Sequence, residues 1–379
     1  MKSKTPLLAA ALTVALMSIP LLSSAQAQST NPLAPFVYHQ TNLASNTPGV
    51  AAFPDALLGS PRGFANQPGG SFVIAGNGTG EASLHNGDGS PAPLFSVAPG
   101  IILPSPSGGV PGGFGTLSGP TGVVWNPTPG FVVPGTNLPA LFLFVTQQGA
   151  IDAWAPNLPG DPVLAVRAVD NSSVGANYTS LAFGASAQGT FIYAANVASG
   201  QIDVFDENFQ AANGTLPGKF VDPEIPAGYV PFGIQSLDGT LAVTYAKQNA
   251  QKNFIVPGAG AGFVDIYDTD GQLLQRLASG GLLNAPWGVT RAPSAFGGAS
   301  GQILVGNFGD GHILAFDQSG QDVQFLVDQQ FQPIVIPGLW GLHFGGGADS
   351  GPRTLFFTAG PDSTHGLFGS LTSADPFEF

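Results

Sequence analysis

The chain contains no cysteine and only two methionines. That absence excludes a disulfide framework, a thiolate metal site and a cysteine nucleophile, so stability has to come from a packed core. Charge is scarce too, with Asp, Glu, Lys and Arg making up 9% of the 379 residues. What charge there is leans acidic, 23 carboxylates against ten Lys and Arg for a formal net charge of −13. The bases are scattered, so a phosphate backbone would be repelled, and nucleic acid is not expected as a partner. No apolar run beyond the first 22 residues is long enough for a bilayer span, and no amphipathic helix is legible.

What is present begins with a leader pattern. Lys2 and Lys4 precede an apolar stretch from Pro6 to Leu22, and Ala25-Gln26-Ala27 matches a small-residue cleavage site. Residues 1–27 therefore read as a signal peptide and 28–379 as one domain, exported to the periplasm or the extracellular space with no membrane segment left after cleavage. The 54 glycines and 34 prolines fall between apolar runs in a chain that is 43% hydrophobic. They read as turn punctuation, not as a sign of disorder.

One pattern recurs six times, starting near residues 61, 120, 177, 231, 286 and 338. A Pro or Gly turn leads into a short apolar strand, and a second apolar strand ends in a small or polar loop. A glycine, an alternating strand and an aromatic residue, often followed by Asp, complete the unit. The clearest copy runs Pro286-Trp287-Gly288-Val289, Ile303-Leu304-Val305-Gly306-Asn307 and Gly311-His312-Ile313-Leu314-Ala315-Phe316-Asp317. A spacing of about 50–60 residues with three or four short strands per copy predicts one propeller blade per unit. The fold class is therefore all-β, a six-bladed β-propeller. Tyr38 to Ser45 resembles the outer strand Leu274 to Ser279, and the sixth unit stops soon after its third strand. The N-terminal strand is thus expected to complete the last blade and close the ring, removing exposed sheet edges.

Several segments together resemble a family of exported bacterial propellers of the NHL or TolB-like type: Tyr38-His39-Gln40-Thr41-Asn42-Leu43, Pro120-Thr121-Gly122-Val123-Val124, Tyr245-Ala246-Lys247-Gln248, Pro286-Trp287-Gly288, Gly306-Asn307-Phe308-Gly309-Asp310-Gly311 and Thr364-His365-Gly366-Leu367-Phe368-Gly369. Some members of that family end in a Pro-Glu-Pro sorting signal. Asp375 to Phe379 carries no apolar helix or basic tail, so a sorting role is not expected. The resemblance implies fold and compartment and no activity. Similarity to gluconolactonase-like propellers, which hold a divalent cation in the channel, is weaker, and their ligands have no residue-by-residue match here.

In such a blade the turns entering the first strand and the loops between the second and third strands share one face of the channel. That placement selects Arg62, Trp287 and Trp340 from the entering turns, with Asn77, Gln147, Asn196, Lys247, Asn307, Asp310 and His365 from the loops. Asn77, Asn196, Asn307 and Asp310 form an oxygen-rich set suited to calcium or another divalent cation, the one cofactor the sequence suggests. The same residue types also cap tight turns. Trp287 and Trp340 could stack on a sugar or wedge blades together, and Lys247 opens the longest inner loop. His365 has Asp362 three residues away, and no His pair has a zinc spacing.

Two functions stay open from the sequence: an exported monomeric propeller that binds an extracytoplasmic glycan, peptide or protein, and a divalent-metal-dependent hydrolase or lactonase with its site in the channel. A structural surface component is a third.

Overall fold

A computed structural model describes residues 36–92, 100–105, 118–345 and 353–374, together with Met1. The chain divides into Met1–Leu33 and Ala34–Phe379, and the second unit is the propeller. The leader and the C-terminal residues 375–379 lie outside the described residues.

The first strands are β1 (Phe36–Ser45) and the short β2 (Phe53–Pro54). Blade 1 follows as β3 (Pro61–Asn66), β4 (Phe72–Gly76), β5 (Glu81–His85) and β6 (Gly100–Ile102), and blade 2 as β7 (Pro120–Trp125), β8 (Phe142–Thr146), β9 (Ala150–Trp154) and β10 (Val166–Asp170). Blade 3 has three strands, β11 (Tyr178–Ser186), β12 (Gly189–Asn196) and β13 (Gln201–Asp206). Blade 4 comprises β14 (Tyr229–Leu237), β15 (Thr240–Lys247), β16 (Phe263–Tyr267) and β17 (Leu273–Ser279). Blade 5 comprises β18 (Pro286–Arg291), β19 (Ile303–Asn307), β20 (Ile313–Phe316) and β21 (Val323–Val327). Blade 6 contributes β22 (Leu339–Phe344), β23 (Leu355–Ala359) and β24 (Leu367–Ser373), and β1 is its outermost strand, antiparallel to β24. The six-bladed ring and its N-terminal closure are as the repeat implied.

The repeat's punctuation has physical causes. Second strands such as β8 and β23 are buried along their whole length because neighbouring blades cover both faces, which is why they read as unbroken apolar runs. The glycine two residues after the opening proline lies where inner strands meet backbone to backbone: a Cβ on Gly63 would come within 2.8 Å of Gly122 Cα. The Asp after the third-strand aromatic caps a hairpin turn. Asp206 accepts the N–H groups of Asn208 and Gln210, and Asp268 those of Asp270 and Gln272.

Buried carboxylates on third strands recur as well. Asp152 pairs with Arg167 of the fourth strand at 2.5 Å, and Asp265 faces Arg276 from the equivalent position. Blade 3 has no fourth strand, and its equivalent, Asp203, takes Tyr178 Oη and the Asn196 amide instead. The outer edge of that blade is covered by the segment that follows it, through the Ala212 N–H to Val204 O and the Asn213 side chain. Asn213 accepts the Val204 N–H at 2.9 Å and donates to Ile202 O at 2.7 Å, the bonds a missing strand would have made.

Candidate functional site

The opening strands of all six blades line the axis, and the residue between the opening position and the small residue points the repeat toward the centre. That residue is Arg62, Thr121, Thr179, Phe232, Trp287 or Trp340, all buried. The two threonines satisfy neighbouring carbonyls, Thr121 bonding Tyr178 O and Thr179 bonding Phe232 O, both at 2.7 Å. The aromatics fill the axis. Trp340 packs edge-to-face on Trp287 with centroids 5.6 Å apart and lies 4.4 Å from Phe308 and 5.7 Å from Phe232. Phe254, from the long loop after Lys247, adds to the same cluster 5.9 Å from Phe232. Trp287 Nε1 donates across the axis, from blade 5 to Thr179 O of blade 3, at 3.2 Å.

The entering turns and inner loops thus share one face, as expected, and an aromatic plug occupies the channel at that end. Trp287 of blade 5 and Trp340 of blade 6 pack against each other in the plug. Arg62 joins it, its guanidinium carbon 4.6 Å from the Trp340 ring centre.

Of the expected oxygen ligands, Asn196, Asn307 and Asp310 use side-chain oxygens in local hydrogen bonds, and Asn77 bonds through its amide nitrogen. Asn196 Oδ1 accepts the N–H groups of Asn177, Ala198 and Ser199. Asn307 Oδ1 accepts the Asn284 N–H, and its amide donates to Leu282 O. Asn77 donates to Pro120 O and to Gln147 Oε1. Asp310 takes the Asn284 amide and the His312 N–H. Of the four, only Asn307 and Asp310 share a hydrogen-bond neighbour, Asn284, so their bonds do not gather the four around one ion. Among the described residues, no group of three or more His, Asp or Glu side chains could hold a metal ion. Lys247 is exposed at the end of β15. His365 is exposed and bonds Asp362 at 2.7 Å. His365, together with the N–H groups of Thr364 and His365, holds the Asp362 carboxyl well below the usual carboxylate range.

The open space lies at the other end of the axis. A cavity of about 430 Å³ is lined by the first strands of all six blades and reaches the hairpin turns at Pro127 and Gly239. Its walls are Phe64, Val124, Trp125, Phe183, Val289 and Leu342, with Trp287 as the floor toward the plug. Polar side chains interrupt them, among them Asn66, Ser180, Gln235, Thr290 and His343. Among the described residues, no Asp, Glu, Lys or Arg lines the cavity.

These polar groups are held in fixed orientations. Gln235 of blade 4 donates to Ser180 Oγ of blade 3 at 3.2 Å and accepts the Val289 N–H of blade 5 at 3.1 Å. Asn66 donates to Gln67 O, so its carbonyl faces His343 Nε2 at 2.8 Å. His343 Nε2 therefore carries the proton, and burial pushes the imidazole down to about 4, which keeps it neutral near pH 7. The site offers apolar walls, aromatic faces and uncharged hydrogen-bonding groups. Its residues follow the glycine of each repeat, where the strand reads as ordinary core. Polar side chains at Asn66, Ser180, Gln235 and His343 inside apolar opening strands were the available signal.

Fold and site together define a six-bladed β-propeller with a plugged axis and an uncharged channel cavity. No family model matches the chain. Uncharacterized protein L690 of Acanthamoeba polyphaga mimivirus is 32% identical over 262 residues, covering 66% of this chain and 67% of that protein. Uncharacterized protein R648 of the same virus is 32% identical over 260 residues, covering 66% of this chain and 62% of that protein. The chain belongs to the family of these mimivirus proteins, and it spans less than two thirds of the length of R648. This corrects the expected membership of an exported bacterial family, with or without a sorting signal. The motifs behind that expectation, such as Pro120-Thr121-Gly122 and Pro286-Trp287-Gly288, follow from axis packing and carry little lineage information. Among solved structures, regucalcin, a calcium-binding protein of Agrobacterium tumefaciens, matches with a TM-score of 0.51 at 12% identity, covering 90% of this chain and 96% of that one. That likeness concerns the fold alone.

Proposed function

We propose that the protein is a binding propeller whose channel takes a small uncharged molecule with an apolar face. The observation that carries this reading is the cavity of about 430 Å³, lined from all six blades without a charged side chain in a protein of net charge −13. Small-molecule sites are typically clefts of about 300–1,000 Å³ with apolar walls and a few fixed polar groups. Desolvating a charged ligand against this lining would go uncompensated, which disfavours ions of either sign. Among the partner classes raised by the sequence, a neutral glycan fits best, with Trp125 for stacking and Gln235, Ser180 and Asn66 for hydroxyl groups.

The test is a titration followed by the fluorescence of Trp125 and Trp287, using neutral oligosaccharides and the neutral dye Nile red. A saturable change, insensitive to salt and lost in Thr290→Phe, which crowds the cavity from blade 5, is the expected result. No saturable change, or equal binding by Thr290→Phe, refutes the reading. Regucalcin's calcium gives the competing outcome: a calcium-dependent rise in melting temperature after EDTA treatment, abolished by Asn307→Ala, would restore the cation site. Export belongs to the same proposal and predicts that the protein recovered from a secreting host begins near Gln28; a product that starts at Met1 removes it.

A further inference from the structure

At the plugged end of the axis, a buried cation lacks a counter-charge among the described residues. Arg62 is 9% exposed and sits deeper than Arg167, Arg276 or Arg291. Each of those three pairs with at least one carboxylate. Among the described residues, Arg62 has no ion pair, and its buried Nε has no hydrogen-bond partner. Beneath it, Trp340 Nε1 is a second buried donor with no partner. The aromatic faces of Trp340 and Phe254 stabilise the positive charge without offering an acceptor.

This arrangement is unusual in a chain with more than twice as many carboxylates as bases. A buried charge without a partner is destabilising by several kcal/mol in general, and an unfilled buried donor adds to that. Asp152 supplies such a partner for Arg167, and none of the described carboxylates does so for Arg62. Burial pushes the Arg62 guanidinium down to about 9, so it is still a cation at neutral pH.

We infer that Arg62 and Trp340 form an oxyanion subsite on the plugged face of the channel, and that its ligand is a carboxylate. The planar fork of a guanidinium matches the two oxygens of a carboxylate, and the indole N–H supplies a further donor. The subsite lies across the Trp287 floor from the uncharged cavity, and neither site depends on the other.

The test is thermal melting of the full chain at constant ionic strength, with chloride exchanged for acetate or for sulfate. Saturable acetate stabilisation is expected, about 4 °C at a hundredfold excess over Kd for a domain of this size. Arg62→Met, which keeps a stem to cover Trp340, is expected to melt at or above the wild type in chloride and to ignore acetate. Trp340→Phe is expected to weaken the acetate response and covers the case in which Arg62→Met does not fold. Equal acetate responses in wild type and Arg62→Met, or none in either, overturn the subsite and leave a cation–π plug. A response to sulfate alone overturns the carboxylate assignment. Thr290→Phe, which tests the other cavity, is expected to keep the acetate response, so failures of the two readings are separable.

Discussion

Removing one hydroxyl from the ring closure tests how the propeller is held shut. Tyr38 lies on β1, the outer strand of blade 6, yet its hydroxyl donates to Phe296 O at 2.8 Å and accepts the Ala299 N–H at 3.0 Å in blade 5. Its ring stacks on Phe296 with centroids 4.5 Å apart. The start of β1 also pairs in parallel with β21, Phe36 opposite Leu326, so one strand joins the last two blades. Tyr38→Phe keeps the stack and leaves two backbone groups unpaired in a buried site. Each orphaned group costs about 1–3 kcal/mol, so the pair should cost about 2–6 kcal/mol. Unfolding entropy near 2.1 cal/mol/K per residue over about 340 residues gives roughly 0.7 kcal/mol per degree, a fall of about 3–9 °C in Tm. Calorimetry measures it directly. If closure forms late in folding, Tyr38→Phe speeds unfolding and leaves refolding unchanged, whereas Tyr193→Phe, which loses one bond to Thr269 between blades 3 and 4, makes no such distinction. A Tm change below about 1 °C would refute the latch.

Three further perturbations probe other parts of the ring. Arg167→Met strands the buried Asp152 carboxylate and should lose about 3–5 kcal/mol in urea unfolding, with most of it recovered in Arg167→Met combined with Asp152→Leu; no recovery would show that packing, not charge, holds the site. Burial, with Asp222 beside it, pushes Asp265 up to about 7, so its contribution to stability is full below about pH 4 and is lost as the pH rises toward 7. Melting curves between pH 4.5 and 7.5 should therefore fall more steeply for the wild type than for Asp265→Asn, and parallel curves would sink the argument. Asn213→Ala uncovers the edge of β13 and should cost about 1–3 kcal/mol and raise aggregation on heating, while unchanged light scattering would mean the edge is protected otherwise.

The blade count, blade boundaries and ring closure were legible because they depend on local rules that recur from blade to blade. A proline can open an inner strand, only a small residue tolerates the backbone approach at the axis, and an Asp after an aromatic caps a hairpin. Each rule acts within a few residues, so each leaves a mark in the sequence. Asn196 and Asn307 were legible as turn residues for the same reason. The repeat also pointed to Arg62, Trp287 and Trp340 as equivalent positions.

What those residues do together was settled by the tertiary structure. Whether six side chains around an axis leave a channel or fill it depends on their summed volume across blades some 50 residues apart, and Phe254 and Phe308 join the plug from the loops after the second strands of blades 4 and 5. The same holds for the cavity at the far end. Asn66 meets His343 across 277 residues, and Ser180, Gln235 and Val289 join three blades in one hydrogen-bonded belt. Local pattern specifies the blade, because strand pairing and turns are short-range. The site is specified only by closure of the ring, because its walls come from every blade at once.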